Sequence, residues 1–286
     1  MYPEAPEAAP AADYEEPIGR RIGMHLEGLI PIALILIIGF FVAVKFGVVD
    51  NRTPVIGALA DVMGPFGGQE KTRMLLLGSA SQEVIDILND RRDKIEYVVR
   101  TIDTLERNPV EQLADYDLVM LDQSEESNKQ VSKKLGEALQ RFVKNGGKLI
   151  LVGDSAIRRP DTFDVIGWRN TFGDIIPVDC DRVLNNIPTC TQPMLVNGKL
   201  YRVDERHRIM QGIDMFPADP YMNATFRVLD VTVNGRELAY IQSDGTDKKQ
   251  YPAIVEKNLV IGKVIYFNYN PGITRGIFES TLDYLK

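Results

Sequence analysis

A serine stands where an apolar segment ends, in the stretch KLILVGDSAIRR at residues 148–159. Leu149–Val152 are continuously apolar, and Gly153, Asp154 and Ser155 follow at once. This is the pattern of a buried parallel strand that runs into a sharp turn. In α/β hydrolases such a turn carries the nucleophile on a strained strand-to-helix elbow. The spacing therefore suggests the hypothesis that Ser155 is a nucleophile.

A nucleophilic serine needs a base that takes its proton and a third group that orients the base. The chain has two histidines, and only His207 lies beyond residue 70. A hydrolase that uses Ser155 with His207, and with Asp204 or Asp122 as the acid, is therefore the catalytic alternative. We favour a surface or hydrogen-bonding role for His207 over a catalytic one.

Composition excludes several classes of function. The formal net charge is -7 and the pI is about 5.1, with acidic residues spread along the chain, so no basic stripe is available to bind nucleic acid. Two histidines and two cysteines are too few for a zinc-finger or histidine-cluster site. The chain contains neither GxGxxG nor GxxxxGK[ST]. We therefore expect no metal and no cofactor.

The order of elements after residue 70 predicts a sheet covered by helices on both faces. Strands are predicted at 73–79, 95–102, 116–123, 148–155 and 262–270, and helices at 81–92, 133–147 and 273–285. Strands that alternate with helices form parallel sheets through right-handed crossovers. The predicted fold class is α/β, with a doubly wound, mainly parallel sheet. Asn234 and Gly235 predict a tight hairpin turn in the more irregular second half.

Ligands of doubly wound folds bind beyond the carboxyl ends of the strands. Residues at these ends are therefore expected to line one crevice, namely Gly78, Ser79, Asp122, Gly153, Asp154, Ser155 and Asn270. Some of them also have simpler structural roles. Ser79 with Gln82 fits a helix capping box, and Asp154 is a candidate helix cap.

An apolar segment near the N-terminus predicts a membrane helix. Leu29–Val44 contain no charge, and the apolar run continues past Lys45 to Val49. At about 1.5 Å per residue the segment spans about 30 Å, the thickness of a hydrocarbon core. The alternatives are a buried core helix and a signal peptide cleaved after the ALA at 58–60. We predict a disordered acidic tail at 1–28, a transmembrane helix at 29–49, a linker at 50–70 and an α/β domain at 71–286.

The orientation in the membrane rests on weaker signals, because basic residues on the two sides of the segment nearly balance. Cys180 and Cys190 lie in the loop-like stretch DCDRVLNNIPTC and suit a local disulfide, the alternative being two free thiols. Asn51 and Asn223 each begin an N-glycosylation sequon. These features predict that the C-terminal domain is extracytoplasmic.

Several segments together resemble a known family. They are YDLVMLDQ at 116–123, FVKNGGKLILVGDS at 142–155, HRIMQGI at 207–213 and YPAIVEKNLVIGKVIYFNYNPG at 251–272. This succession resembles class I glutamine amidotransferase-like domains, including the trehalose-utilisation-like branch, over residues 72–286. The resemblance implies a flavodoxin-like, doubly wound sheet.

Active members of that family carry a cysteine in a GxCxG elbow and a histidine and a glutamate in a terminal HPE. The resemblance places Ser155 at the cysteine, and FNYNPGIT at 267–274 places Asn270 at the histidine and Gly272 at the glutamate. An amide side chain has no useful basicity near neutral pH. The resemblance therefore implies a catalytically inactive domain.

The predicted function is a single-pass, membrane-anchored and non-catalytic amidotransferase-like domain. It would serve as a binding or scaffold module in a membrane or cell-envelope assembly. Its expected partners are the bilayer, through residues 29–49, another membrane or envelope protein and a sugar-like ligand, with no nucleic acid. The serine hydrolase that uses Ser155 with His207 stays open as the alternative.

Overall fold

The structure, a computed structural model, describes residues 71–286 and the single residue Ile35. Apart from Ile35, the predicted tail at 1–28, membrane helix at 29–49 and linker at 50–70 lie outside the described residues. Among the residues that are described, no helix is both long and apolar enough to cross a bilayer. Residues 71–286 belong to one unit, Gln69–Lys286.

The strands of the described part are, in chain order, β1 (Thr72–Gly78), β2 (Ile95–Arg100), β3 (Leu118–Asp122), β4 (Lys148–Val152), β5 (Arg158–Arg159), β6 (Thr162–Ile166), β7 (Val178–Asp179), β8 (Val183–Leu184), β9 (Ile187–Pro188), β10 (Met194–Arg202), β11 (Met215–Phe216), β12 (Ala224–Val228), β13 (Thr232–Val233), β14 (Arg236–Ser243), β15 (Gln250–Asn258) and β16 (Lys263–Phe267). The α-helices are α1 (Gln82–Asp90), α2 (Ile102–Leu105), α3 (Pro109–Leu113), α4 (Lys133–Lys144), α5 (Arg169–Phe172) and α6 (Arg275–Tyr284). Short 3-10 helices occupy Thr189–Thr191, Arg208–Met210 and Pro271–Thr274.

Ten of these strands form one mixed sheet in the order β11-β10-β14-β15-β16-β4-β3-β1-β2, with β12 paired to β10. The strands from β16 to β2 are parallel to one another, whereas β15, β14, β10, β11 and β12 pair antiparallel. The α/β class and the parallel half of the sheet were predicted, and the antiparallel half was not. After β4 the chain forms mostly extended segments with few helices between them. Antiparallel strands can pair without a helical crossover, so the alternation of strand and helix that predicts a parallel sheet is missing there.

Helices cover both faces of the parallel half, as in doubly wound sheets. Along β1, Met74 and Leu76 belong to the apolar core that contains α1 and α6, and Leu75 and Leu77 belong to the core that contains α4 and α5. The four side chains are fully buried. Successive side chains of a strand point to opposite faces, so a continuous apolar run indicates a strand buried on both.

The first helix begins at a different cap from the predicted one. Ser81 is the N-cap of α1, and its hydroxyl accepts a hydrogen bond from the backbone nitrogen of Val84 at 3.4 Å. The predicted capping box with Ser79 is therefore wrong by two positions, because the apolar strand extends to Gly78 and the turn needs two further residues. The helix predicted at 133–147 is α4, which ends at Lys144, and Gly146, with a φ of +105°, follows as its glycine stop.

The turn after β4 does not lead into a helix. Gly153 and Ala156 both have a φ of +54°, and the chain continues into the short strands β5 and β6. A nucleophile elbow requires a strand, a turn and a helix. The expectation that Ser155 lies on such an elbow, and that Asp154 caps a helix there, is therefore wrong.

The predicted hairpin at Asn234 and Gly235 is also wrong. The strands on its two sides have different neighbours, because β13 pairs with β7 and β14 pairs with β10 and β15. A tight turn of this kind forms instead at Asn185 and Asn186, which have φ values of +52° and +63° and join β8 to β9. Asparagine tolerates this left-handed conformation better than most residues.

Cys180 and Cys190 form a disulfide, as predicted. Their Cα atoms are 5.5 Å apart, and the loop that they close contains the β8–β9 hairpin. Cys190 is fully buried in the apolar core on the α4 face. The bridge therefore fixes an otherwise irregular segment to the core.

Candidate functional site

Two adjoining cavities lie beyond the carboxyl ends of the parallel strands. Their volumes are about 340 Å³ and about 270 Å³. The residues that line both are Ser124, Asp154, Pro193 and Arg227. Ser124 follows β3 and Asp154 follows β4, whereas Arg227 comes from the antiparallel half, on β12. We call this pair of cavities the strand-end crevice.

The carboxylate of Asp154 lies between two cationic side chains in this crevice. Its Oδ1 is 3.9 Å from the Nζ of Lys129, and its Oδ2 is 3.5 Å from an Nη of Arg227. The side chains of Lys129 and Asp154 are 12% and 16% exposed, whereas that of Arg227 is 48% exposed. Burial lowers the pKa of Lys129, and the charge of Asp154 opposes that effect. Polar side chains complete the walls, among them Ser127, Asn128, Thr191, Thr225 and Asn270.

A second carboxylate, that of Asp122, is buried directly beneath Ser124. Its Oδ1 accepts hydrogen bonds from the backbone nitrogen and the hydroxyl of Ser124. Its Oδ2 is buried and has no hydrogen-bond partner among the described residues. Burial raises the pKa of Asp122 to about 6, and the bonds from Ser124 oppose that rise.

Ser155 is fully buried and its hydroxyl is engaged. The Oγ accepts a hydrogen bond from the backbone nitrogen of Gln123 at 2.8 Å. The side chain of Gln123 in turn accepts from the backbone nitrogen of Ala156 at 2.8 Å. The indole of Trp168 donates to the backbone oxygen of Ser155 at 2.9 Å. Ser155 thus ties the turn after β4 to the end of β3, and it does not face the crevice as a free nucleophile.

His207 belongs to a separate buried group of polar residues. Its Nε2 is 3.2 Å from Oε2 of Glu256, and its Nδ1 accepts from the backbone nitrogen of Ile209 at 3.3 Å. Tyr284 donates its hydroxyl proton to Oε1 of Glu256 at 2.6 Å. Ile209 packs in the core on the α6 face, whereas Ala156, next to Ser155, packs in the core on the α4 face. The structure therefore does not bring Ser155 and His207 together.

The predicted crevice residues divide into two groups. Gly153, Asp154 and Asn270 line the cavities. Gly78, Asp122 and Ser155 are buried behind the wall, while Ser79 is exposed after the end of β1. The Oδ1 of Asn270 accepts from the backbone nitrogen of Gly272 at 2.9 Å and from the Ser81 hydroxyl at 3.1 Å.

Lys129 and Arg227 were not predicted as site residues. Lys129 lies in the irregular segment between β3 and α4, and Arg227 lies on a strand far along the chain. No motif marks either residue, because a single basic residue in a polar stretch usually lies on a solvated surface. Only the pairing of β12 with β10 shows that Arg227 belongs to the sheet that borders the crevice.

Comparisons with known proteins identify no family for this chain. No family model and no curated protein matches it. Among solved structures, the β-galactosidase from Rahnella sp. R3 has a TM-score of 0.48 and 14% identity over 80% of this chain and 34% of its own length. The β-galactosidase from Bacillus circulans sp. alkalophilus has a TM-score of 0.49 and 12% identity, over 74% of this chain and 31% of its own. The chain thus spans about a third of these enzymes' length.

The resemblance to class I glutamine amidotransferase-like domains is wrong as a family assignment. A protein from Thermoplasma acidophilum that is described as part of a GMP synthase has a TM-score of only 0.41 and 8% identity, over 76% of this chain and 96% of its own. The resemblance rested on a succession of strand, helix, strand and glycine turn, which parallel α/β sheets share regardless of family. The triad positions inferred from it, Ser155, Asn270 and Gly272, therefore carry no functional assignment.

Proposed function

We propose that the described domain is a non-catalytic binding module and that the strand-end crevice is its ligand site. The observation that carries the proposal is the position of the Asp154 carboxylate between Lys129 and Arg227, in a concave site lined by hydroxyl and amide side chains. Binding sites in open α/β sheets lie at this end of the strands. A small number of polar groups that converge in a cleft is typical of a small-molecule binding site.

The lining favours a small ligand that bears several hydroxyl groups, as a sugar does. Arg227 and Lys129, whose Nζ has no hydrogen-bond partner among the described residues, can donate hydrogen bonds to a ligand, and Asp154 can accept them. The hydroxyl protons of Ser124 and Thr191 go to Asp122 and to the backbone oxygen of Pro188, so their oxygens can also accept from a ligand. A hydroxyl group on a ligand also donates and accepts, so neighbouring hydroxyls match such an alternation. Because the Asp154 carboxylate lies beside the positive charges of Lys129 and Arg227, the crevice has no strong preference for a charged ligand of either sign.

The burial of Ser155 supports a non-catalytic role. A serine nucleophile must reach its substrate and lose its proton to a base. The Ser155 hydroxyl is fully buried and accepts a backbone hydrogen bond, and His207 is engaged by Glu256 on the other face of the sheet. A serine-reactive fluorophosphonate should therefore leave the native chain unlabelled. Labelling that disappears in Ser155→Ala would favour the hydrolase alternative.

The binding experiment uses the purified full chain in detergent and a panel of monosaccharides and oligosaccharides, with saturation-transfer NMR as the readout. We expect saturable binding by at least one compound, and a loss of about tenfold or more in affinity for Asp154→Asn and for Arg227→Ala. Asp161→Asn is the matched control, since Asp161 pairs with Arg159 and does not line the crevice. Equal binding by Asp154→Asn and the control would reject this crevice as the site.

We also propose that the module is held at a membrane. Residues 29–49 would anchor the chain in a membrane in a single pass, with the C-terminal domain outside the cytoplasm, as part of a membrane or envelope assembly. The Cys180–Cys190 disulfide supports an oxidising compartment. Protease added to intact cells or spheroplasts should digest the domain and leave a short protected fragment. A domain that is fully protected until the membrane is lysed would contradict this orientation.

A further inference from the structure

Strand β2 forms one edge of the ten-stranded sheet and is exposed. Within the described part of the chain its only neighbouring strand is β1. Val98 is 40% exposed and Val99 is 51% exposed. Edge strands of this kind present unpaired backbone groups, and proteins usually protect them with proline, lysine or a bulge. The sequence of β2, IEYVVR, contains no proline and no lysine, and its register with β1 is regular.

The side chains of β2 are complementary to those of a second β2. In an antiparallel pair centred on Val98, Glu96 of each strand lies opposite Arg100 of the other, and Tyr97 lies opposite Val99. Opposite charges directly across a strand pair stabilise it, as do pairs of aromatic and β-branched residues. The same register places Val98 opposite its own copy on the symmetry axis.

The two faces of the strand keep these pairs apart. Pairing with β1 aligns Glu96, Val98 and Arg100 with Arg73, Leu75 and Leu77, and it aligns Tyr97 and Val99 with Met74 and Leu76. The charged pairs and the central valines would thus share one face, and the Tyr97–Val99 pairs would share the other. The hydroxyl of Tyr97 donates to Asn89 of α1 at 2.7 Å, and the side chain packs against the core on the α1 and α6 face.

From this self-complementarity we infer that the chain forms a homodimer through antiparallel pairing of two β2 edges. The dimer joins two ten-stranded sheets into one continuous sheet, and its two-fold axis passes through Val98. Closed two-fold dimers with the same patch on both protomers are the commonest soluble oligomers. Pairing over five residues adds about four to six main-chain hydrogen bonds. This inference is independent of what binds in the strand-end crevice.

Cysteine cross-linking in the full chain tests the register. The native cysteines are paired with each other, so a new thiol has no free partner among the described residues of its own chain. Residues directly opposite in an antiparallel pair have Cα atoms about 4.5 to 5.5 Å apart, which a disulfide spans. Val98→Cys should give a disulfide-linked dimer on mild oxidation. Val99→Cys is the matched control, because Val99 is somewhat more exposed than Val98 but would lie about 8 Å or more from its copy, and it should cross-link at least tenfold less.

Charge reversal tests the complementarity. Glu96→Arg in the Val98→Cys background places two arginines opposite each other twice per dimer, and dimer formation should weaken by about tenfold or more. Adding Arg100→Glu restores opposite charges and should restore cross-linking. Light scattering of the detergent-solubilised wild-type chain should give the mass of a dimer. Three results would each overturn the inference: a monomeric wild type, equal cross-linking at positions 98 and 99, and no response to Glu96→Arg. Failure of Val98→Cys to cross-link would also overturn it, and this is the result expected if residues 1–70 cover the β2 edge.

Discussion

The hydroxyl of Ser155 accepts a hydrogen bond from the backbone nitrogen of Gln123 across the ends of β4 and β3, with 2.8 Å between the two atoms. Neither residue is exposed, so water does not compete for this bond. The type and position of Ser155 suggest a nucleophile, but its surroundings give it a structural role. Because β3 ends at Asp122 and β4 ends at Val152, Gln123 and Ser155 lie beyond the paired part of the two strands. The serine hydroxyl therefore links the two chain segments where the strands no longer do.

Replacing Ser155 with alanine should destabilise the fold. Without the hydroxyl, the N–H of Gln123 is buried and unsatisfied, which costs about 1 to 3 kcal/mol. The sequence pattern alone predicts an exposed strand end and a change of only a few tenths of a kcal/mol, and the burial of Ser155 overturns that expectation. Urea unfolding measures the change, with the fluorescence of the single tryptophan, Trp168, as reporter. Ser127→Ala is the control, since Ser127 is exposed, and equal stability of the two variants would contradict the structural role.

The raised pKa of Asp122 makes its contribution to stability depend on pH. Its pKa of about 6 lies above the ordinary aspartate value, so the folded chain binds this proton more tightly than the unfolded chain does. The buried charge therefore opposes folding fully above pH 6, and this cost disappears as the pH falls from 6 to 4. Asp122→Asn removes the titration and retains an oxygen that accepts from Ser124.

The measurement is the free energy of unfolding of wild type minus that of Asp122→Asn at several pH values. This difference should rise by about 2 to 3 kcal/mol between pH 7 and pH 4. Asp161→Asn provides the comparison, because Asp161 is exposed and its pKa is lowered by the hydrogen bond from Arg159. A pH-independent difference for Asp122→Asn would mean that the buried carboxyl titrates at its ordinary pKa.

The parallel half of the fold could be predicted from the sequence because its signals are local. Leu149–Val152 and the other buried strands are apolar runs that end in glycine or polar turns, and α4 has a clear apolar face and a glycine stop. The antiparallel half lacked such signals. In β10 and β12, buried residues alternate with more exposed ones, so neither strand is a continuous apolar run. Pairing partners far apart in the chain, such as β10 and β14, also leave no mark on either segment.

The strand-end crevice was predictable in position but not in chemistry. The rule that ligands bind at the carboxyl ends of strands led to Asp154 and Asn270. It could not show that Ser155 faces inward, because one residue of shift along an extended chain reverses the direction of a side chain. Nor could it find Arg227, which reaches the crevice only through the pairing of β12.

Loss of the disulfide should weaken both the fold and the crevice. In the chain-entropy model, a disulfide between cysteines separated by 10 positions raises the free energy of unfolding by about 3 kcal/mol. Thr191, next to Cys190, lines the larger cavity. A Cys180→Ser/Cys190→Ser variant should therefore unfold at lower urea concentration and bind crevice ligands more weakly. Unchanged stability after complete reduction, verified by thiol alkylation, would show that the loop is held by its other contacts.

The polar residues around Glu256 give a last test that separates structure from catalysis. The Glu256 carboxylate is fully buried, and His207 and Tyr284 are its hydrogen-bond partners. Removing one partner of a buried charge is strongly destabilising, so His207→Ala should lower the free energy of unfolding by about 3 kcal/mol.

Tyr284→Phe should cost less, about 1 to 2 kcal/mol, because it removes one hydroxyl that donates to Glu256 and accepts from Lys263 at 2.6 Å while the ring stays in place. Tyr221→Phe, at a tyrosine that is 95% exposed, is the control and should change nothing. All three variants should bind crevice ligands as the wild type does, since none of these residues lines the crevice. If His207→Ala keeps full stability and instead abolishes reaction with a fluorophosphonate, His207 acts as a catalytic base and the binding-module proposal is wrong.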